Sequence, residues 1–521
     1  MKGAVAAGHP LTAEAGARIL AEGGNAVDAC IAAAFVSWVA ESPLTGPGAG
    51  GFILVHRARD GSDRILDFFA ASPGRGLAPG HGDGMVPVDV AFDARAVQVF
   101  LVGAPSCAVP GAPAGLAVTH SRYGRLPWAE LLAPAVEVAR RGVALNAAQA
   151  FLHRILDPIL RGDAEGRRMY GAVRALAEGE ALVMRDLAGT LEWLAAEGVE
   201  PLYRGELARR TSEAVLEGGG RITETDLAEY RVIQRRPVRA AYRGVEFVSN
   251  PPPSSGGLLV AFALRILDRL GPAAPAGSAE AIASLAEAMR EAARVRGGGF
   301  LAELYRGGAP GRILADEHVA AAVRAIRGRI PLAGREASGS PSTTHISVVD
   351  AKGNAASHSA STGSGSGFFV PGTGIQLNNM LGESDLTAAG RSARPGERLT
   401  SMMAPSVVLA QGRPRLVVGS AGSIRLRGAV LQTVLNVVDH RMSVEEALAA
   451  PRVHLEGEVL QLEGGFEPAA ADRLEERGHE LVRWSERNLY FGGAAAVAFR
   501  EDGGLEAAGD PRRSGAGVVV A

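Results

Sequence analysis

Two adjacent threonines open a strand-like run in the segment "SPSTTHISVVDAKGNAA", residues 340–356 of a 521-residue chain. A threonine hydroxyl is a poor nucleophile until a base removes its proton. One known solution uses the threonine's own α-amine, which exists only after the preceding peptide bond has been cleaved. The residues just before Thr343, "PLAGREASGSPS" (331–342), are rich in Gly, Ser and Pro without periodicity. This composition predicts an exposed linker, where chains are commonly cut.

The two threonines have two interpretations. A freed Thr343 at the start of a rigid strand could act as an N-terminal nucleophile. Alternatively, Thr343 and Thr344 are β-branched residues that begin an edge strand, which is a common use of threonine. Taken alone, the residue types favour the second interpretation and leave the first open.

The composition is that of a globular protein with a large core, since 47% of the residues are hydrophobic. The formal net charge is −2, and lysine occurs only at Lys2 and Lys352. No basic tract stands out, which argues against nucleic acid or an anionic membrane as a partner.

The N-terminal sequence has no apolar signal core, which predicts a cytoplasmic location. The most apolar window, Ala26–Ala40, has 15 residues and contains Asp28. A membrane span needs about 20 apolar residues, so a buried helix capped by Asn25 is predicted instead.

Metal and cofactor sites are not expected. The 11 histidines show no ligand spacing, and the two cysteines, Cys30 and Cys107, predict buried thiols rather than a disulfide framework. "GPGAGG" (46–51) runs from a helix into a strand, whereas phosphate-binding loops run from a strand into a helix. We therefore predict no cofactor and no metal.

The elements that must position the threonines change in type along the chain. Residues 126–296 have a mostly helical pattern, interrupted at "NPPPSSGG" (250–257). After the linker, "THISVVDA", "KGN" and "AASHSAST" predict a hairpin, and "APSVVLAQGRPRLVVGSAG" predicts another.

Several long motifs share one family origin, and they cover nearly the whole chain. They are "HPLTAEAGARILAEGGNAVDACIAAA", "VPGAPAGLAVTHSRYGRLPWAELLAPAVEVARRG", "PPPSSGG", "TTHISVVDAKGNA", "GTGIQLNN" and "GSAGSIR". Together they resemble the γ-glutamyltranspeptidase family. The resemblance implies an α/β (α+β) fold, the four-layer αββα sandwich of N-terminal nucleophile hydrolases. It also implies self-cleavage before Thr343 into a large subunit, residues 1–342, and a small subunit, residues 343–521, which associate as one folded unit.

The resemblance also implies the catalytic residues. Thr343 is the nucleophile, and Ser361 matches a second hydroxyl residue that hydrogen-bonds it. The backbone N–H groups of Gly422 and Ser423 match the oxyanion hole, where the family has a double glycine. Because the donors are backbone groups, a serine there can still serve.

The glutamate pocket departs from the family pattern. Phe69 replaces the arginine that holds the α-carboxylate, and of a serine pair for the same group, Ser401 remains while Met402 replaces the second. Gly363, Met380 and Glu383 match the Asn, Gln and Asp that meet the α-amino group. Since leaving either charge of an amino-acid end unpaired costs several kcal/mol, we expect a small-molecule substrate whose acyl group is more apolar or lacks an α-amino acid end.

The expected activity is therefore amide hydrolysis or acyl transfer through an acyl-enzyme. Related enzymes with altered pockets act on β-lactam side chains, on oxamate, or on a carbon–carbon bond beside an oxalyl group. A true γ-glutamyl hydrolase or transferase and a non-catalytic binding protein are the alternatives.

Some further residues carry weaker expectations. Arg425 and Arg427 could meet an acidic substrate group or form ion pairs. His345 and His358 are expected to be hydrogen-bonding neighbours on strands. No role is assigned to Glu41.

Overall fold

The structure is a computed structural model. It describes residues 1–78, 81–82, 84–91, 97–297, 299–328, 343–383, 386, 393–422, 425–500 and 502–521. The linker predicted at 331–342 and the predicted oxyanion residue Ser423 lie outside the described residues.

Most strands belong to two antiparallel sheets. In chain order the strands are β1 Gly3–Ala7, β2 Gly50–Arg57, β3 Ser62–Phe68, β4 Val86–Ala91, β5 Val97–Val102, β6 Val143–Ala144, β7 Ala181–Leu182, β8 Ile233–Arg235, β9 Val238–Tyr242, β10 Val245–Ser249, β11 Thr344–Asp350, β12 Ala355–Ser361, β13 Phe369–Val370, β14 Ile375–Gln376, β15 Ser406–Ala410, β16 Arg413–Ala421, β17 Val453–Glu456, β18 Val459–Leu462, β19 Glu480–Arg483, β20 Gly493–Phe499, β21 Leu505–Gly509 and β22 Ala516–Val520.

The helices cover the outer faces of these sheets. In chain order they are α1 Pro10–Ala21, α2 Ala26–Ala40, α3 Ala112–Tyr123, α4 Trp128–Arg141, α5 Ala147–Ile155, α6 Asp157–Leu160, α7 Ala164–Tyr170, α8 Arg185–Glu197, α9 Glu206–Glu217, α10 Glu224–Ala228, α11 Gly256–Leu270, α12 Ala279–Arg294, α13 Phe300–Arg306, α14 Ala309–Ile313, α15 Asp316–Arg327, α16 Leu426–Val438, α17 Val444–Ala449 and α18 Pro468–Glu476.

Two sheets stacked face to face form the centre of the molecule. The first has the strand order β22-β1-β11-β12-β2-β3-β8, and the second has the order β21-β20-β16-β15-β10-β9. Successive side chains of a strand point to opposite faces. In β1, Val5 and Ala7 pack with α1 and α2, while Ala4 and Ala6 pack with residues of the second sheet.

The second sheet divides its side chains in the same way. Leu416 and Val418 of β16 pack towards α11, α12 and α16, while Val417 faces the first sheet. The layers are thus helix, sheet, sheet, helix, and the predicted αββα sandwich is confirmed.

The predicted buried helix is confirmed as α2. Every residue from Ala26 to Ala40 is buried, and the Asn25 side chain accepts hydrogen bonds from the N–H groups of Val27 and Asp28. None of the described helices combines the length and apolarity that a membrane-spanning segment requires.

The mostly helical interpretation of residues 126–296 is wrong at 233–249, where β8, β9 and β10 lie. β9 and β10 form a hairpin whose turn holds Arg243 and Gly244 at φ 46° and 79°. The pattern "VRAAYRGVEFVS" hides this hairpin because the charged residues Arg239 and Glu246 break up the apolar run. They lie on the same face as Val248, which packs towards the first sheet. Arg239 forms an ion pair there with Asp63 of β3.

Both sheets combine strands from the two sides of the predicted cleavage point. In the first sheet, β1, β2, β3 and β8 precede residue 343, and β11, β12 and β22 follow it. In the second sheet, β9 and β10 precede it and the other four strands follow. Neither part can therefore complete a sheet alone.

Candidate active site

Thr343 and Ser361 lie side by side at one end of the first sheet. The register that pairs Thr344 with Ala360, continued by one residue, sets Thr343 opposite Ser361. Both residues are buried, with exposed fractions of 4% and 3%. Because directly opposite residues share a face of a sheet, both side chains point towards the second sheet.

Gly50 and Phe69 continue this row across the next two strands. Gly50 pairs with Ser361. A Cβ atom on Gly50 would lie only 2.5 Å from the backbone N of Ala70 and 3.1 Å from the Cα of Phe69. A glycine between Ser361 and Phe69 thus lets the backbone of Phe69 and Ala70 approach β2 closely.

The Ser361 hydroxyl is oriented by the backbone that follows it. Its Oγ accepts a hydrogen bond of 2.8 Å from the N–H of Gly363. Gly363 has φ 69°, which favours glycine. The hydroxyl proton can therefore point away from Gly363, along the row towards Thr343.

Gly422, the described member of the predicted oxyanion pair, directly follows β16 in the second sheet. Its φ of 128° is accessible to glycine rather than to residues with a side chain. A Cβ on Gly422 would also lie 2.9 Å from the Cα of Gly492. Both conformation and packing therefore require glycine here.

Arg513 connects Thr343 with the second sheet. Its Nη1 donates a hydrogen bond of 3.0 Å to the carbonyl oxygen of Thr343. Its Cδ would lie 2.3 Å from a Cβ on Gly493, which pairs with Ala421, the last residue of β16. The backbone of Thr343 and the loop of Gly422 are therefore held by one buried side chain.

Phe69 occupies an apolar position between the sheets. Its ring stacks on Phe52, with ring centres 5.5 Å apart. The buried Arg398 guanidinium contacts the Phe69 backbone and is occupied by protein groups. Its Nη1 donates to the carbonyl oxygen of Phe69 and, at 2.6 Å, to the Tyr230 hydroxyl. Its Nε lies 3.2 Å from Asp67 Oδ1. Arg398 therefore does not replace the missing substrate-binding arginine.

The predicted amino-group positions lie together beside Ser361. Asn379 fills the space that a side chain at Gly363 would need, since a Cβ there would lie 2.0 Å from Asn379 Oδ1. That oxygen accepts a 2.9 Å hydrogen bond from the N–H of Ser364. The same Cβ would lie 3.1 Å from Glu383 Oε1. Met380 packs in the apolar layer between the sheets. One carboxylate thus remains near this group.

Ser401 and Met402 lie on the other side of the site. Ser401 Oγ accepts a 3.0 Å hydrogen bond from the N–H of Met403. Met402 Sδ accepts one of 3.2 Å from Ser255 Oγ and packs with Leu426, which begins α16 just beyond the predicted oxyanion loop. Met402 therefore gives the site an apolar wall near that loop.

The two histidines predicted to be strand neighbours are confirmed as such. His345 lies between the hydroxyls of Ser359 and Ser347, at 2.8 and 3.0 Å, and His358 Nδ1 lies 3.2 Å from the carbonyl oxygen of Phe52. Burial lowers the pKa of both rings. Neutral imidazoles fit a role in packing between strands rather than in proton transfer.

The remaining candidates lie outside the row. The guanidinium of Arg425 stacks 3.9 Å from the centre of the Tyr490 ring, and Arg427 is half-buried in the first turn of α16. Cys30 and Cys107 are free, buried thiols, and burial raises the pKa of Cys107 to about 12. Within the described ranges, no three His, Cys, Asp or Glu residues are grouped as metal ligands.

Three neighbours of the site were missed by sequence reasoning. Asn379 fills the position beside Gly363, Arg513 binds Thr343, and Glu41 accepts a 2.6 Å hydrogen bond from the Thr344 hydroxyl. Glu41 and Thr344 are 303 residues apart. No local pattern signals such a contact, although "NN" beside the glycine-rich segment points to Asn379.

Comparison with known proteins gives one family. Residues 12–520 match the family model described as gamma-glutamyltranspeptidase. The chain is 36% identical to the "Acylase ACY 1 proenzyme" of Pseudomonas sp. (strain SE83), covering 100% of this chain and 94% of that protein. It is 30% identical to the "Glutathione hydrolase proenzyme" of Escherichia coli (strain K12), covering 98% and 90%.

A solved structure agrees in fold. The cephalosporin acylase from Bacillus halodurans matches with a TM-score of 0.85 and 26% identity, over 99% of this chain and 95% of that one. The chain therefore belongs to the gamma-glutamyltranspeptidase family and is an enzyme of the N-terminal nucleophile hydrolase type, a class of hydrolases and acyltransferases.

Proposed function

We propose that this protein is a self-processing amide hydrolase whose nucleophile is Thr343 and whose acyl group is neutral rather than γ-glutamyl. The observation that carries the proposal is the row of Thr343, Ser361, Gly50 and Phe69 across four neighbouring strands. It sets two hydroxyls opposite each other and places an apolar ring at the far end of the row. Gly422 in the facing sheet supports an oxyanion site on the opposite side.

Processing would begin with attack by the Thr343 hydroxyl oxygen on the carbonyl carbon of Ser342. The C–N bond to Thr343 breaks as an ester forms, the nitrogen takes the hydroxyl proton, and water then hydrolyses the ester. The products are the carboxylate of Ser342 and the α-amine of Thr343. The interleaved strands support continued association of the two fragments.

Turnover would reuse the same oxygen. The α-amine takes the hydroxyl proton as Thr343 attacks the substrate carbonyl, and it returns that proton to the leaving amine as the amide bond breaks. Backbone N–H groups of Gly422 and Ser423 would stabilise the oxyanion, a contribution that typically amounts to about 10²–10³ in rate per donor. Water then hydrolyses the acyl ester.

The pocket walls support a neutral acyl group. Phe69, Met380 and Met402 supply rings and thioethers where the family binds an amino-acid end, and Arg398 is occupied by protein groups. Glu383 adds a negative charge beside Gly363, which disfavours acidic acyl chains. The name acylase carried by a relative 36% identical to this chain supports an acyl group other than γ-glutamyl.

The test of the nucleophile is the intact mass of the purified wild type and of Thr343→Ala under denaturing conditions. We expect fragments that begin at residues 1 and 343 in the wild type and a single uncut, inactive chain in the variant. An uncut wild type, or turnover by Thr343→Ala, would overturn the assignment of Thr343.

The test of the pocket is a panel of anilides that share one leaving group, with butyryl, hexanoyl, glutaryl and γ-glutamyl acyl groups. Because an unpaired charge in a desolvated pocket costs several kcal/mol, and about 1.4 kcal/mol is tenfold, we expect kcat/KM for the neutral groups to exceed that for γ-glutamyl by about 100-fold. Preferred γ-glutamyl turnover would contradict the pocket assignment alone.

A further inference from the structure

Glu41 is a buried carboxylate attached to the nucleophile strand. It caps the C-terminus of α2 and is 5% exposed. Its Oε2 accepts a 2.6 Å hydrogen bond from the hydroxyl of Thr344, and its Oε1 accepts one of 2.9 Å from Thr12. A Cβ on Gly8 would lie 2.4 Å from Oε2, so glycine makes room for the carboxylate. The position is built for this side chain.

The Arg513 side chain contacts the backbone of the same strand end. Its Nη1 donates to the Thr343 carbonyl oxygen, while Nε and Nη2 are buried without a hydrogen-bond partner among the described residues. Glu41 and Arg513 both line a small cavity of about 20 Å³ that also touches Gly8 and Leu44. That volume suits about one water molecule. Burial raises the pKa of the Glu41 carboxyl and the charge of Arg513 lowers it, so the two side chains act on each other next to Thr343.

Thr343 lies at the end of the nucleophile strand. It precedes β11, whose ladder begins at Thr344. Once the bond to Ser342 is cut, the chain no longer restrains Thr343 from its N-terminal side. Its own carbonyl and the adjoining Thr344, which Arg513 and Glu41 hold, are then two of the groups that orient its hydroxyl and amine.

We propose that Glu41 and Arg513 are positioning residues that clamp the freed Thr343 and set, with opposite signs, how readily its α-amine accepts a proton. This inference rests on the proposed function of Thr343. A cation near an amine favours the unprotonated form, and an anion favours the protonated form. Misplacement of a reacting group by about 1 Å can cost about 100-fold in rate.

Other charged or titratable groups face this region and are shared by all variants. The charges of Asp510 and Arg452 act on Arg513, and His9 lines the same cavity as Glu41 and Arg513. His345 lies two residues along β11 from Thr343, and Glu383 lies beside Gly363. Single changes at Glu41 or Arg513 leave these five groups in place, so differences between the variants report on the clamp.

The experiment measures processing rate, kcat, KM and the pH profile of kcat/KM for the wild type, Glu41→Gln and Arg513→Gln. We expect kcat to fall by about 10–100-fold with KM changed by less than about threefold, since the clamp orients the nucleophile rather than the substrate. The acidic limb of the profile should move to lower pH in Glu41→Gln and to higher pH in Arg513→Gln. Arg513→Lys should restore that limb towards the wild type because it keeps the charge.

The matched control is Glu22→Gln, which replaces an exposed glutamate that caps the C-terminus of α1 as Glu41 caps α2. It should behave as the wild type. If Glu41→Gln does not fold, Thr344→Val and Thr12→Val replace it, because each removes one hydroxyl from Glu41 and only Thr344 adjoins the nucleophile. A larger loss of kcat in Thr344→Val supports the clamp, and equal losses overturn it.

The outcomes separate the two proposals. Wild-type kcat and wild-type pH limbs in Glu41→Gln and Arg513→Gln, in a protein cleaved at Thr343, would overturn the clamp and leave the proposed function intact. A wild type without the Thr343 N-terminus would overturn the proposed function itself.

Discussion

Ser361 lies between Thr343, the proposed nucleophile, and a fixed backbone donor. Its Oγ accepts the 2.8 Å hydrogen bond of the Gly363 N–H, and it lies opposite Thr343. Ser361→Ala removes the acceptor and leaves that N–H buried and unpaired, at a typical cost of about 1–3 kcal/mol. We expect kcat to fall by about 10–100-fold, measured with the best neutral anilide. Ser361→Thr keeps the hydroxyl and should retain most of the activity, and equal losses in both variants would show that the hydroxyl is not what matters.

At the residue scale, the family resemblance predicted a nucleophile and its neighbour but only part of their surroundings. It matched Thr343 and Ser361, which the strand register places opposite each other, while their catalytic roles stay predictions. No local sequence pattern could predict that Asn379 occupies the space at Gly363, or that the Arg398 guanidinium is bound by protein groups such as the Phe69 carbonyl. Those facts depend on packing between distant segments.

The glycine segment 46–51 shows why a strand can require glycine where neighbouring backbone comes close. It is not followed by a helix N-terminus but by β2, which runs between β12 and β3. Cβ atoms on Gly48, Gly50 and Gly51 would lie 2.1, 2.5 and 2.4 Å from backbone atoms of neighbouring segments. These glycines therefore allow close approach of strands beside the nucleophile.

Gly50→Ala and Gly46→Ala form a matched pair within that segment. A Cβ on Gly50 would collide with the backbone of Ala70, whereas a Cβ on Gly46 would have nothing within 4 Å. Since backbone cannot yield as a side-chain tip can, Gly50→Ala should displace β3 from Ser361 and cost about 1–3 kcal/mol, as overpacking does. We expect slower processing and a lower midpoint of thermal unfolding for Gly50→Ala alone. The close-approach argument fails if Gly46→Ala is equally impaired.

Among the elements, those with a complete local pattern could be predicted and those without one could not. The hairpin of β11 and β12 follows from alternation and the "KGN" turn, with Gly353 at φ 79°. The hairpin of β9 and β10 was missed because charged residues on its face towards the first sheet interrupt the strand pattern and imitate a helical surface. Strand partners are set by the tertiary fold, which one sequence read by local pattern does not contain.

At the scale of the whole molecule, the interleaving of the two predicted subunits ties processing to the complete fold. Thr343 can meet Ser361 within the C-terminal part, but Gly50 and Glu41 come from the N-terminal part. The site is therefore assembled only when both sheets are formed. This agrees with a proenzyme that folds first and acquires its nucleophile afterwards.

The buried histidines make the stability of the whole molecule depend on pH. Burial lowers the pKa of five of them, with His9, His153 and His358 reaching about 4 and two others lying well below the usual 6.5, namely His345 and His454. The folded state keeps these rings neutral, whereas the unfolded chain binds protons once the pH falls below about 6.5. Their contribution is thus complete above pH 6.5 and is lost as the pH decreases towards the folded values.

The expected result is a steep loss of stability between pH 6.5 and 4.5, before most carboxylates titrate. Each ring contributes up to about 1.4 kcal/mol per pH unit, and five such rings act against a total of about 5–15 kcal/mol for a typical protein. The measurement is the midpoint of thermal unfolding from pH 7.5 to 5.0, compared with that of His345→Gln. In the variant, the slope of stability against pH should correspond to about one proton fewer bound on unfolding, even if the variant is less stable at every pH. The reason is that glutamine cannot take up the proton that His345 binds on unfolding. A midpoint that stays constant down to pH 5.0 in the wild type would contradict the neutral, buried state of these rings.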